Sequence, residues 1–370
     1  MLDEPHGVYE PSWSPDGRSV VATVVPRHPD CSRGGCRSPY DGSRSEIWVF
    51  DADGGEKRRI GRGREAAWSP DGSRIAYARA SGGVRLHEWG GISVADADGS
   101  DGRDLTGAGA HAPSWSHDGR KIAFRRYVAS QVDTAGLLTI RADGEGLTRV
   151  GAVPGVRVGR FPRVLQRELR PFAWSPRSQT LAFLDARGAR NYELHVAAAD
   201  GTGQRRVSPA GASLSWQFWW SPSGEWLAFD AGALHVVKRD GSERRLLVRE
   251  PVWDVAWSPD GKALRFVSLR RKGLRVGVVS LAGRRPIVQR EERQPLVDAV
   301  WSADGRMLAV QRPRRGIEVA AVDPWSRRRL TRQAAQEWVW SPDGTRIAFV
   351  RRDELYVVHV DGGQVRRLSR

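Results

Sequence analysis

The sequence predicts an all-β chain folded as a β-propeller of eight four-stranded antiparallel blades, one blade for each copy of an internal repeat. Three observations carry this reading. A ten-residue phrase, Trp-Ser-Pro-Asp-Gly-Thr-Arg-Ile-Ala-Phe at 340–349, recurs as Trp68-Ser-Pro-Asp-Gly72, Trp115-Ser-His-Asp-Gly119 and Trp257-Ser-Pro-Asp-Gly261, with looser copies from Trp13, Trp174, Trp220 and Trp301. The eight tryptophans stand 55, 47, 59, 46, 37, 44 and 39 residues apart, a period that belongs to solenoids and propellers. Each repeat also holds four short strand signals separated by turn residues, and four antiparallel strands of that length make one blade.

Taken in order, the first strand of a repeat ends at its tryptophan, as in Val252-Trp-Asp-Val-Ala-Trp257. Ser-Pro-Asp-Gly then makes a tight reverse turn: Pro presets φ near −65°, and Gly tolerates positive φ. The Ile-Ala-Phe segment is the second strand, with a small Ala between large β-formers that lets neighbours come close. A third strand follows a variable loop, as in Glu354-Leu-Tyr-Val-Val-His-Val360. It ends in a second turn at Asp53-Gly54, Asp98-Gly99, Asp143-Gly144, Asp200-Gly201, Asp240-Gly241 and Asp361-Gly362. A last short strand carries an arginine pair, such as Arg58-Arg59, Arg205-Arg206 or Arg366-Arg367, which reads as charge guarding an exposed edge against strand addition rather than as a basic rim for anionic partners. One domain over 1–370 is expected, with blades starting near 8, 63, 110, 169, 215, 252, 296 and 335. The chain enters on the first strand of repeat 1 and leaves on the last strand of repeat 8. Blades 1 and 8 are therefore expected to meet by side-chain packing alone.

The phrase W-S-P-D-G-x-x-I-A-F, followed by I-x-V-x-D-x-D-G-G, resembles the WD40-like Pro-Asp repeat of TolB-type β-propellers, from about Pro11 to Leu368. Local departures are Arg177-Ser178 in repeat 4, Ser223 in repeat 5, Ala303 in repeat 7 and His117 in repeat 3. TolB itself has six blades and a separate N-terminal domain, whereas eight-bladed relatives occur as the non-catalytic part of dipeptidyl-peptidase-like enzymes. The resemblance implies a bacterial protein of the cell envelope or one that is secreted. The start, Met1-Leu-Asp-Glu-Pro-His6, lacks a basic n-region and an apolar h-region, so no signal peptide is read in this chain and a cytoplasmic location is the alternative.

Composition bounds the function. The net charge is +16, but only five of the 59 basic residues are Lys, and the arginines are spread over every repeat. That spread argues for a GC-rich genome and against nucleic-acid binding, which gathers basic residues with aromatics on one element. No apolar run is long enough to span a membrane. Cys31 and Cys36 are the only cysteines, spaced C-x4-C, and read as a local disulfide or two free thiols rather than a metal site. No metal or cofactor is expected. Gly61-Arg-Gly-Arg-Glu-Ala66 and Gly107-Ala-Gly-Ala-His-Ala112 lack the following helix that a phosphate site needs. Asp96, Asp98 and Asp101 read as a turn rather than a calcium loop, because Gly99 interrupts the spacing. No G-x-S-x-G or H-E-x-x-H occurs, and His195 and His235, at matching positions, read as packing residues.

Topology places the two short turns of each blade at one end and the variable loops at the other. Residues 26–45, 79–90, 127–136 and 151–170 form the long connections, the last carrying Arg157, Arg160, Arg163, Arg167 and Arg170 as a possible anion-binding rim. Three residues before each repeat Trp stand Glu10, Glu65, Ala112, Pro171, Gln217, Asp254, Asp298 and Glu337. Five of the eight are acidic, in a basic chain. Their strand is the innermost, so Glu10, Glu65, Gln217, Asp254, Asp298 and Glu337 are expected as a crescent at the channel mouth. It would hold a cation, an amine or a basic peptide, or its carboxylates would bond a neighbouring blade's backbone or an Arg. The expected protein is a monomeric, non-catalytic scaffold holding a protein or peptide partner on this face. The alternative is a channel-sited enzyme, a polysaccharide lyase or a hydrolase.

Overall fold

The computed structural model describes residues 6–26, 44–80, 90–127, 134–154, 171–177, 179–185, 192–212, 214, 217–270, 273–282, 287–292, 298–312, 316–322 and 325–369. Among these residues there is no α-helix. The chain begins with β1 (His6–Trp13), β2 (Ser19–Pro26), β3 (Glu46–Asp51), β4 (Lys57–Trp68), β5 (Arg74–Arg79), β6 (Ile92–Asp96) and β7 (Arg103–Asp104). These seven strands form one sheet in chain order, and six four-stranded sheets follow, every neighbouring pair antiparallel. Pairing thus counts seven sheets for eight repeats. The cause is β4, whose residues 57–62 pair with β3 while 63–68 pair with β5. Two glycines make this crossing possible. A Cβ on Gly61 would fall 2.4 Å from the Tyr77 hydroxyl, and one on Gly63 would fall 2.4 Å from the Ala78 carbonyl.

One register rule holds in every repeat. The repeat tryptophan pairs with the second residue of the next strand, an aliphatic one seven positions on: Trp13 with Val20, Trp68 with Ile75, Trp115 with Ile122 and Trp174 with Leu181. Trp220, Trp257, Trp301 and Trp340 pair likewise with Leu227, Leu264, Leu308 and Ile347. The Ser-Pro-Asp-Gly turn fixes that register. In the last repeat the Ser341 hydroxyl donates to Asp343 and accepts the Arg346 N–H, Asp343 accepts the Thr345 N–H, and Gly344 takes φ +68°. Repeat 4, with Arg177 in place of Asp, leaves the Ser175 hydroxyl without a hydrogen-bond partner among the described residues.

The core lies between consecutive repeats. Ala76 and Ala78 of repeat 2 pack against Trp115, Ile122 and Phe124 of repeat 3, and Ala182 and Leu184 of repeat 4 pack against Leu227 and Phe229 of repeat 5. Phe124, Phe183, Phe229, Phe266 and Phe349 are fully buried. Each contributes roughly 1.5–3 kcal/mol of transfer free energy. The first and last repeats join in the same way, with Val8, Trp13 and Val20 packed on Val350, Leu355 and Val357. Side-chain packing is not the whole closure, which corrects the expectation from sequence. The Val8 N–H donates to the Asp353 carbonyl at 2.8 Å, and the Arg346 guanidinium both lies 4.8 Å from the Trp13 ring centre and donates to the Gly17 carbonyl. Arg74 stacks on Trp115 in the same way inside the ring.

Candidate functional site: the channel cavity

The first strands of the repeats stand side by side and are tied by one recurring bond. The indole N–H of each repeat tryptophan donates to a main-chain carbonyl one repeat back, that of the residue preceding the previous repeat tryptophan. Trp68 bonds Ser12, Trp115 bonds Ala67, Trp174 bonds Ser114, Trp220 bonds Ala173 and Trp257 bonds Trp219, at 3.0–3.3 Å. Trp340 bonds Val300 at 3.2 Å, and Trp13 closes the ring on Val339 at 3.4 Å. Trp301 is the exception, its buried indole nitrogen having no partner among the described residues.

The residues three places before each tryptophan form a second set of links. A Glu337 carboxylate oxygen accepts the Glu10 N–H at 2.6 Å, Glu10 accepts the Glu65 N–H at 2.9 Å, and Glu65 accepts the Ala112 N–H at 2.6 Å. The three donors share a left-handed backbone, with φ of 55°, 56° and 53°, at a register shift in their strands. This bulge turns each N–H out of its own ladder toward the neighbouring carboxylate. A non-glycine residue in that conformation costs about 1–3 kcal/mol, and a hydrogen bond to a charged acceptor offsets it by about 1.5–3 kcal/mol. The relay stops at repeat 4, because Ala112 offers no carboxylate and Pro171 no N–H.

The two aspartates at this position bond differently. Asp254 accepts the Trp301 N–H at 2.9 Å and the Trp219 indole N–H at 3.2 Å. Asp298 accepts the Ala299 N–H at 2.8 Å and the Trp253 indole N–H at 3.3 Å. Burial outweighs these bonds and pushes the Asp254 carboxyl up to about 7 and that of Asp298 up to about 6.

The first strands of repeats 1–4, 7 and 8 line a cavity of about 620 Å³, the size range of small-molecule and peptide side-chain sites. Its wall includes Glu10, Glu65, Ala112, Pro171, Asp298 and Glu337 from the position singled out in the sequence. Asp254 and Gln217 are not among its lining residues. The predicted crescent therefore divides: four of its six members reach the cavity, and the carboxylates of all four accept hydrogen bonds from the chain itself. One lining residue was not anticipated. Arg125, in the strand Lys121–Arg126, is only 7% exposed. Its Nε and Nη1 have no hydrogen-bond partner among the described residues. A signal existed in the sequence: of Thr23, Ala78, Arg125, Leu184, Asp230, Val267, Gln311 and Val350, which share one place in their repeats, only Arg125 is basic.

Other expected positions separate from the cavity. Arg157, Arg160, Arg163, Arg167, Arg170, Cys31 and Cys36 lie outside the described residues, as does Ser178. His195 packs against Phe183, with ring centres 5.8 Å apart, and His235 stacks on Phe229 at 5.4 Å. Asp98 caps its own turn by accepting the Ser100 N–H and hydroxyl. Among the described residues no group of three or more His, Cys, Asp or Glu is placed to hold a metal ion, and no helix is long and apolar enough to cross a membrane.

Antiparallel sheets tied side by side around a cavity define a β-propeller protein. No protein-family model matches the chain, and neither does any curated protein sequence. Solved structures do. The C-terminal WD40 domain of Sif2 is similar over 96% of both chains, with a TM-score of 0.61 and 13% identity. An oligogalacturonate lyase from Vibrio parahaemolyticus is similar over 96% of this chain and 91% of its own, with a TM-score of 0.55 and 10% identity. The β-propeller domain of the Trilobed protease from Pyrococcus furiosus, a propeller of open velcro topology, is similar over 100% of this chain and 97% of its own, with a TM-score of 0.51 and 12% identity. At these identities the likeness is one of fold.

Proposed function

We propose that the protein is a non-catalytic, TolB-like propeller scaffold of eight blades, one per repeat, that seats a segment of a protein or peptide partner in its channel cavity and works as a monomer. The observation that carries this reading is the cavity itself. It has about 620 Å³ of space between the first strands and a wall in which Glu10, Glu65, Asp298 and Glu337 face the same space as Arg125. A wall with both signs of charge suits a peptide, which offers both an ammonium or guanidinium and a carboxylate. The blade count rests on the shared register of all eight repeat tryptophans and on β4 serving two repeats at once. To test the reading, a random phage-displayed peptide library is panned on the protein. Selected peptides are expected to lose at least about tenfold in affinity when Ala303, an exposed residue of the cavity wall, is replaced by Trp. Unchanged affinity in that variant, or no selected peptide, removes the peptide from the account.

A second reading, an enzyme acting on polysaccharide in the channel, is favoured by one observation. Asp298 lines the cavity, and its carboxyl, near 6, lies close to the range useful for proton transfer. Turnover of oligogalacturonate that disappears in Asp298→Asn supports it, and no turnover leaves the scaffold reading in place.

A further inference from the structure

The unpartnered guanidinium of Arg125 has a counterpart elsewhere in the ring. In repeat 1, Thr23 faces Tyr9 across the ladder and donates its hydroxyl to the Glu10 carboxylate at 2.8 Å. In repeat 3, Arg125 faces His111 across the ladder in the same way. The residue matching Glu10 there is Ala112, which has the same left-handed backbone and no carboxylate. Arg125 therefore stands where its repeat has replaced a hydroxyl by a guanidinium and deleted the carboxylate that the position would bond.

A guanidinium stays charged at every accessible pH, so burial without an anion is costly and no proton loss relieves it. Nothing in the described chain supplies that anion, since no described carboxylate forms an ion pair with Arg125. Glu65 and Glu10 share its cavity but are committed to the N–H groups of Ala112 and Glu65. We propose that Arg125 receives a carboxylate of the ligand, entering the cavity over Ala112 and taking the place that a glutamate side chain fills in repeats 1 and 2. A carboxylate fits better than phosphate. It matches the planar fork of the guanidinium, and its single charge is repelled less by the carboxylates already on the wall. This deepens the scaffold reading and relies on it only for the ligand being a peptide, whose carboxylate is an acidic side chain or a free C-terminus.

The test uses the full chain labelled with ¹⁵N and follows arginine Nε–Hε resonances during titration with sodium acetate, with sodium chloride holding ionic strength constant. One such signal, missing in Arg125→Gln, is expected to shift and saturate. Acetate affinity should fall at least about tenfold in Arg125→Gln, as for loss of a charged hydrogen bond. Ala112→Glu guards against misfolding of that variant. It places an internal carboxylate on a backbone that already holds glutamate at 10 and 65, so it should abolish acetate binding and raise the thermal midpoint. An Arg125 signal that ignores acetate overturns the proposal, as does undiminished acetate binding in Ala112→Glu. If acetate binds as expected but no library peptide does, the peptide reading fails and the carboxylate site stands. If peptides bind and Arg125→Gln changes nothing, the reverse holds. Among peptides that bind, losing affinity on C-terminal amidation marks the terminus as the source, and losing it on Asp or Glu to amide exchange marks a side chain.

Discussion

Glutamate and aspartate occupy the same repeat position on adjacent arcs of this ring, and one methylene separates two kinds of junction. On the arc from repeat 8 to repeat 3, the longer side chain reaches the N–H of its own counterpart in the next repeat, and that counterpart bends into a left-handed bulge to present it. Between repeats 6 and 7, Asp254 meets the N–H of Trp301, three residues further along. At that junction Trp301 lacks the indole bond made by the other seven repeat tryptophans. The short acid thus goes with a shifted junction and a displaced proton affinity, while the long acid goes with a bond that repeats from one junction to the next. Sequence position alone does not set the role of a residue in a repeat; its reach does.

The largest way to break the glutamate arc is Glu10→Ala. It removes the acceptor of both the Glu65 N–H and the Thr23 hydroxyl, and it should lower unfolding free energy by about 3–4 kcal/mol in urea titration. Glu65→Ala, which frees one N–H, should cost about half as much. The aspartate arc is tested by pH. Its two carboxyls are raised in the folded state to about 7 and about 6 from an ordinary value of 3.8, so the folded protein holds their protons more tightly. Their contribution is fully present below about pH 4 and is lost as pH rises through 6 and 7. Asp254→Asn should flatten most of that slope in denaturation midpoints between pH 5 and pH 8. A slope that survives in the double Asn variant means that other groups set it. The smallest effect compares tryptophans. Trp115→Phe loses an indole bond that Trp301→Phe does not, so it should be the costlier by about 1 kcal/mol.

Most of the scaffold was legible because its signals are local. Ser-Pro-Asp-Gly closes its own hydrogen bonds within six residues, so turn, register and strand follow from a short window. The sheet count was less legible, since nothing in 57–68 marks where one repeat ends, and only the pairing of β4 shows a continuous strand. The acidic position was found from its spacing, but whether a carboxylate points to a ligand or to a neighbour's N–H depends on a backbone bend in the next repeat. The bulges at Glu10, Glu65 and Ala112 leave no composition signal. Arg125 was hidden among dozens of arginines, and it stands out only once its repeat position and its empty surroundings are compared with those of Thr23.

The links from the repeat tryptophans to main-chain carbonyls and those from main-chain N–H groups to the glutamates share a sense of rotation. In each, the N–H belongs to the later repeat and the oxygen to the earlier one, and the last link runs from Trp13 and Glu10 back to Val339 and Glu337. An α-helix also lines up such dipoles, but a helix has ends, and its partial charges collect there. The indole set runs around the channel rather than along it, with a gap at Trp301. Its dipoles circulate around the channel and largely cancel along the axis. The field that a visitor meets inside is therefore set by discrete charges, and among the described residues that line the cavity Arg125 is the one whose sign is opposite to that of the carboxylates.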